Sequence, residues 1–308
     1  MRDQKLFFIV FLILQITNFS SAQVVGLKCK NFKKELATLS FPRKLKNKSD
    51  SLNFLNCIEK SISDTISENR FNNLIKITSQ YEGRYTDELT DRALVKIFIR
   101  LINSKSSFIG ISAINNIKKI DRKLFDSSAI RQIANAINDS SLYLKDILLL
   151  AGYLNDTVLS QKIRYIAINR KLSGAEYWAM KLSLARMGDR DAIESIKNKL
   201  NTVPLSSKVV ESIYPDLIYT KQKLLYDIMV EKLFVDEELC ESSNPDSDNM
   251  IVCGYRITEL LAPNINDFPI NVLPSGDLDT DDYSKALLIA RDWFIKNQMQ
   301  YSINYKSY

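Results

Sequence analysis

The 308 residues include no histidine. That single absence removes Ser-His-Asp triads, Cys-His pairs and imidazole metal ligands. Glycine and proline are scarce as well, with eight and seven residues, about 5% together where average usage is nearer 12%. No two glycines lie closer than Gly174 and Gly188, so the chain holds neither a GxGxxG fingerprint nor a Walker loop. Ser-x-x-Lys, the route to an activated serine that needs no histidine, does not occur either. Catalysis would fall to Asp, Glu, Lys, Arg, Tyr, Ser or Cys, and no spacing singles any of them out. No cofactor is expected.

The N-terminus reads as an export signal. Arg2 and Lys5 form a short basic region, Leu6 to Ile16 is an apolar run broken only by Gln15, and Ser20-Ser21-Ala22 offers small residues for cleavage after Ala22. The apolar run is too short to span a bilayer, which takes about 20 residues. Residues 1–22 are therefore expected to be removed and the protein to be secreted or periplasmic, with no transmembrane segment. All four cysteines, Cys29, Cys57, Cys240 and Cys253, follow the signal, and an even count in that setting predicts two disulfides. Of the three connectivities, loop-closure cost favours Cys29–Cys57 and Cys240–Cys253. The second bridge would staple a helical hairpin around the polar turn 241–249.

Between Arg43 and Val203 there is no proline, and apolar residues recur there at helical spacing. In Ala175–Met187, Trp178, Leu182 and Ala185 form one stripe. Gly188 stops that helix and Asp189 caps the next, which buries Ile193, Ile196 and Leu200. The same pattern of two helices recurs at 108–137, 142–168 and 207–233, with turns near Asp121, Asp156, Asp189 and Lys221 at offsets of 35, 33 and 32. Such a period predicts an α-solenoid. The stretch "LARMGDRDAIESIKNKL" within Ala175–Leu200 resembles a HEAT-type repeat, and the resemblance extends over about residues 90–235. It implies an all-α fold: a right-handed solenoid of antiparallel helix pairs over 86–235, between a helical N-terminal cap (23–85) and a loop-containing helical C-terminal segment (236–308). In that last segment the final helix is expected over Asp282–Asn297, capped by Asp281 or Thr280, and Tyr301, Tyr305 and Tyr308 share one helical face.

Charge is unevenly distributed. Residues 236–282 hold twelve acidic residues against one base, Arg256, while residues 28–48 hold eight Lys or Arg against Glu35. This predicts binding of a protein partner through the solenoid groove or the charged ends, with head-to-tail self-association as one form of it. Candidate contacts are Arg164, Tyr165, Lys197 and Tyr226 on second helices, and Tyr219, Tyr255 and Arg256 near the acidic segment. Nucleic acid is not an expected partner, because the basic residues lack an aromatic platform. Asp277, Asp279, Asp281 and Asp282 imitate half an EF-hand loop, but Asp282 stands where glycine is needed and Leu288 where the chelating glutamate belongs. They predict an acidic turn before a helix and no metal site. The leading expectation is an exported binding or scaffold protein without catalysis. The alternative is an exported all-α carbohydrate-active enzyme working through an Asp/Glu pair.

Overall fold

The structure is a computed structural model and describes residues 29–40, 48–62, 66–81, 88–242, 249–305 and 308. The expected signal peptide and cleavage site lie outside these residues, as do Asp246 and Asp248 of the acidic segment. Among the described residues the fold is all-α apart from one short β-ladder and two isolated β-bridges. No described helix is long and apolar enough to cross a membrane. Both locally paired disulfides are present, Cys29–Cys57 and Cys240–Cys253. The chain forms two compact units, dividing between Gln132 and Ile133. That division falls inside the stretch 86–235.

The first unit contains α1 (Lys33–Thr38), α2 (Lys48–Ser61), α3 (Glu68–Tyr81), α4 (Glu88–Leu101) and α5 (Ser107–Ile117), then a 3-10 turn at Arg122–Leu124. Helix α4 packs against both α2 and α5 and buries Leu94, Ile97, Phe98 and Leu101. Arg100 of α4 reaches Glu59 of α2 at 2.6 Å. The Cys29–Cys57 bridge ties the approach to α1 onto α2, and beside it the Phe32 and Phe54 rings pack 5.3 Å apart. Helix α6 (Ser127–Ala136) runs across the division between the units.

The second unit contains α7 (Leu144–Leu154), α8 (Thr157–Asn169), α9 (Gly174–Arg186), α10 (Arg190–Asn201), α11 (Ser207–Ser212), α12 (Tyr214–Thr220) and α13 (Lys223–Lys232). Three of its turns have the same construction. Asn155, Gly188 and Lys221 each take positive φ (53°, 85° and 54°), and each lies 33 residues after the one before. A left-handed residue there ends one helix and the next residue starts another. Asp156 and Asp189 cap α8 and α10 by accepting from Val158 and Ala192 amides, both at 2.8 Å. Ser173 and Glu176 form a reciprocal capping box at the start of α9.

Helices α7, α9 and α12 lie side by side, with α9 packed on both others. At the α7–α9 contact, a Cβ on Gly152 would come within 2.7 Å of the Ser183 backbone and 2.2 Å of the Tyr219 hydroxyl. Glycine is what lets these helices approach so closely. Ser183 Oγ donates to the Leu148 carbonyl at 2.7 Å, and Tyr219 Oη donates to the Leu149 carbonyl at 2.5 Å. The helix ends carry a ladder at the same 33-residue spacing: Tyr153, Arg186 and Tyr219. The Arg186 guanidinium sits 5.2 Å from one ring and 4.7 Å from the other, and donates to the Tyr219 carbonyl at 2.6 Å.

Four local expectations are corrected. Ser207–Tyr219 is two helices, because Pro215 at the head of α12 cannot donate an amide to continue α11. The Cys240–Cys253 bridge staples a β-hairpin, β1 (Cys240–Glu241) pairing antiparallel with β2 (Met250–Ile251), in place of a helical hairpin. The tail tyrosines do not share a helix. After α14 (Gly254–Leu261) and α15 (Tyr283–Lys296), the chain turns through the left-handed Gln298 and Met299 and bridges Ile303 to Ile265. Tyr301 donates to Asp227 at 2.8 Å and Tyr305 to the Lys221 carbonyl at 3.2 Å, while the Tyr308 ring packs against those of Tyr153 and Tyr219. The cap of α15 is Asp282, one residue beyond Asp281.

Candidate binding site

A cavity of about 550 Å³ opens in the second unit, lined by Val210, Glu211, Pro215, Arg256, Glu259, Leu260 and Gly276. That volume falls in the range of small-ligand and side-chain sites, about 300–1,000 Å³. Its walls follow from features already described. The Pro215 break separates α11 from α12, leaving Val210 and Glu211 on one side and Pro215 on the other. Helix α14 brings Arg256, Glu259 and Leu260, and the loop before α15 contributes Gly276.

Arg256 is the keystone of this arrangement. Its Nη1 pairs with Glu211 of α11, and its Nη2 donates to the Glu241 carbonyl of β1 at 2.8 Å. One guanidinium therefore ties α14 to α11 and to the disulfide-closed hairpin. The Glu241 amide donates to Ser207 Oγ at 2.6 Å, which secures the hairpin from its other side. Arg256 Nε is buried and makes no hydrogen bond. Burial pushes the Tyr283 phenol up to a pKa of about 12, and the nearby Glu259 and Asp277 carboxylates add to the rise. The Tyr255 and Tyr283 rings meet edge to face, 6.5 Å apart. The cavity thus offers two carboxylates and apolar walls, and four of its lining residues, Arg256, Glu259, Leu260 and Gly276, belong to the segment 236–282, whose net charge is −11.

Of the seven candidate contact residues, only Arg256 lines this cavity, with Tyr255 beside it on α14. Tyr219 and Tyr226 are interior: Tyr219 bonds to the Leu149 carbonyl and Tyr226 donates to the Ile218 carbonyl at 3.1 Å. Burial raises the pKa of both phenols, and neither presents a surface to a partner. Arg164 pairs with Asp189, the turn aspartate, and so fastens α8 to the α9–α10 turn. Lys197 pairs with Glu194 along one helix face at 3.6 Å. Tyr165 is 57% exposed, with Lys162 Nζ 5.0 Å from its ring centre. Asp277, Asp279, Asp281 and Asp282 shape the turn before α15, and among the described residues no group of three or more Asp, Glu or Cys could hold a metal ion.

Sequence reasoning missed Glu211 and Glu259. Two signals pointed near them: the proline interrupting 207–219, and the isolation of Arg256 as the one base in a strongly acidic stretch. A third carboxyl, Asp216, was also missed. Burial raises its pKa, the Trp178 indole donating at 2.6 Å and the charges of Lys145 and Lys199 pulling against that rise. Lys199 Nζ lies 4.0 Å from the centre of the Trp178 ring.

No protein-family model matches the chain, and neither the curated proteins nor the solved structures include a significant match.

Proposed function

We propose that the protein is an exported, non-catalytic helical-repeat scaffold that binds a basic segment of a macromolecular partner at the Glu211–Arg256–Glu259 cavity. The observation carrying this reading is the cavity itself, where Glu211 and Glu259 meet apolar walls, with Arg256, Glu259, Leu260 and Gly276 belonging to the acidic segment 236–282. A lysine or arginine of the partner pairs with the carboxylates, and its stem lies against Val210 and Leu260. Long-range attraction from the acidic segment speeds the encounter. A HEAT-like solenoid is supported by the three left-handed turn residues 33 apart and by the Tyr153–Arg186–Tyr219 ladder at the same period. Export to an oxidising compartment is supported by the two disulfides.

An array of lysine-rich, neutral and glutamate-rich peptides tests the binding reading. Retention of the lysine-rich members alone is expected, and equal retention of neutral or acidic ones contradicts it. A second reading, the carbohydrate-active enzyme, draws support from the shared placement of Glu211 and Glu259 and from the raised pKa of Asp216 beside Trp178. Turnover of any member of a glycan panel, abolished by Glu211→Gln or Glu259→Gln, would replace the binding reading with this one.

A further inference from the structure

The first unit has a cavity of opposite character. An open cleft of about 410 Å³ is lined by Cys29, Lys30, Lys33, Leu36, Ala37, Ser61 and Arg70. Three of these side chains are cationic and none is acidic. Among the described residues, none of the three cations is ion-paired. Arg70 spends one Nη2 donor on the Leu36 carbonyl at 3.1 Å, and its Nε is buried with no hydrogen-bond partner. Ser61 turns its hydroxyl back onto the Ile58 carbonyl at 3.0 Å. The other described lining residues are Leu36, Ala37 and Cys29 of the Cys29–Cys57 bridge, and the methylene stems of the lysines add to this apolar surface.

Each of these features carries an unmet requirement. Like charges gathered around one cleft repel each other until an anion enters. The Arg70 guanidinium has no ion-pair partner among the described residues, and a carboxylate in the cleft would supply one. The apolar wall gains only if the anion carries a hydrocarbon body. From these three requirements together we infer that the cleft is a binding site for an alkyl carboxylate, its head held by Arg70, Lys30 and Lys33 and its chain lying along Leu36, Ala37 and the Cys29–Cys57 disulfide. The site is independent of the acidic cavity, shares no residue with it and does not depend on the protein-binding reading.

Calorimetric titration of the disulfide-intact protein with octanoate, acetate and 1-octanol tests this, alongside sedimentation with phosphatidylglycerol vesicles. Octanoate is expected to bind one per chain, at least tenfold more tightly than acetate, which lacks the chain, or 1-octanol, which lacks the charge. The surface double variant Lys30→Gln/Lys33→Gln, chosen to leave the fold intact, should weaken octanoate at least tenfold, as should Arg70→Gln. Glu211→Gln/Glu259→Gln should leave octanoate binding unchanged. Absence of octanoate binding, binding no tighter than that of acetate or 1-octanol, indifference to the Lys30/Lys33 change, or association with the vesicles without binding of free octanoate would each overturn the proposal.

Discussion

The two cavities use the same side chain in opposite ways. In the second unit the Arg256 guanidinium is committed to Glu211 and to the Glu241 carbonyl, so it is part of the frame and the carboxylates around it set the character of the site. In the first unit Arg70 makes one backbone contact and stands among two further cations, with no carboxylate partner among the described residues. A disulfide stands at each place, Cys29 in the wall of the basic cleft and Cys240–Cys253 closing the hairpin that Arg256 grips. The lesson is that an arginine's meaning depends on how many of its donors the protein has already used. Composition distinguishes an acidic segment from a basic one, but only partner geometry separates a girder from a receptor.

The largest effect is expected from the helix packing of the second unit. Gly152→Ala forces a Cβ into the Ser183 backbone and the Tyr219 hydroxyl, and overpacking of this kind costs about 3 kcal/mol. Hydrogen exchange should then show lost protection in α7, α9 and α12, with α2 and α4 retaining theirs. Next in size is the contrast between the arginines. Arg256→Met, which removes two charge-assisted or carbonyl hydrogen bonds, should cost about 2 kcal/mol in denaturant melts, against about 1 kcal/mol for Arg70→Met. Equal costs would mean that Arg256 is not the girder described.

Lysines sharpen the same contrast. Lys30 and Lys33 are exposed, whereas Lys221 is 2% exposed and donates to Asn264 at 2.8 Å. Burial, helped by the Arg186 charge, lowers the Lys221 pKa to about 8. Between pH 8 and the unfolded value near 10.4 the unfolded chain binds the extra proton, so stability should rise with pH there, by up to about 1.4 kcal/mol per pH unit. Above pH 10 the trend reverses, because the phenols of Tyr219 and Tyr226, their pKa values raised by burial, ionise more readily once unfolded. Lys221→Met should flatten the rise between pH 8 and 10, whereas Lys30→Gln/Lys33→Gln should leave it intact. The smallest effect separates the disulfides. Their loops of 28 and 13 residues predict that Cys→Ala at both ends of Cys29–Cys57 costs about 0.7 kcal/mol more than at Cys240–Cys253.

Much of the helical framework was legible because it rests on local rules. The left-handed Asn155 and Gly188, with Asp156 and Asp189 as caps, announce their turns through residue type alone. The cysteine pairing followed from loop length. Lys221 in a left-handed turn was legible only as a turn position, since nothing in its neighbours signals that its side chain is buried. The β-hairpin at Cys240–Ile251 was missed because two-residue strands carry no periodicity. The tail tyrosines misled because a spacing of four and three residues fits a helix, whereas their positions are fixed by hydrogen bonds to Asp227 and the Lys221 carbonyl, 74 and 84 residues away in sequence. The acidic cavity was hardest to read. Glu211 and Glu259 face it from helices distant in sequence, and carboxylates at that separation resemble any other surface pair.

The binding reading is tested most directly by titrating a fluorescently labelled lysine-rich peptide into the protein and into Glu211→Gln/Glu259→Gln, at low and at physiological salt. Saturable binding that the double variant weakens at least tenfold, and that persists at physiological salt, is the predicted result, because the apolar contact of the lysine stem with Val210 and Leu260 is not screened by salt. Equal affinity of the two proteins, or affinity that vanishes at physiological salt for both alike, would contradict it.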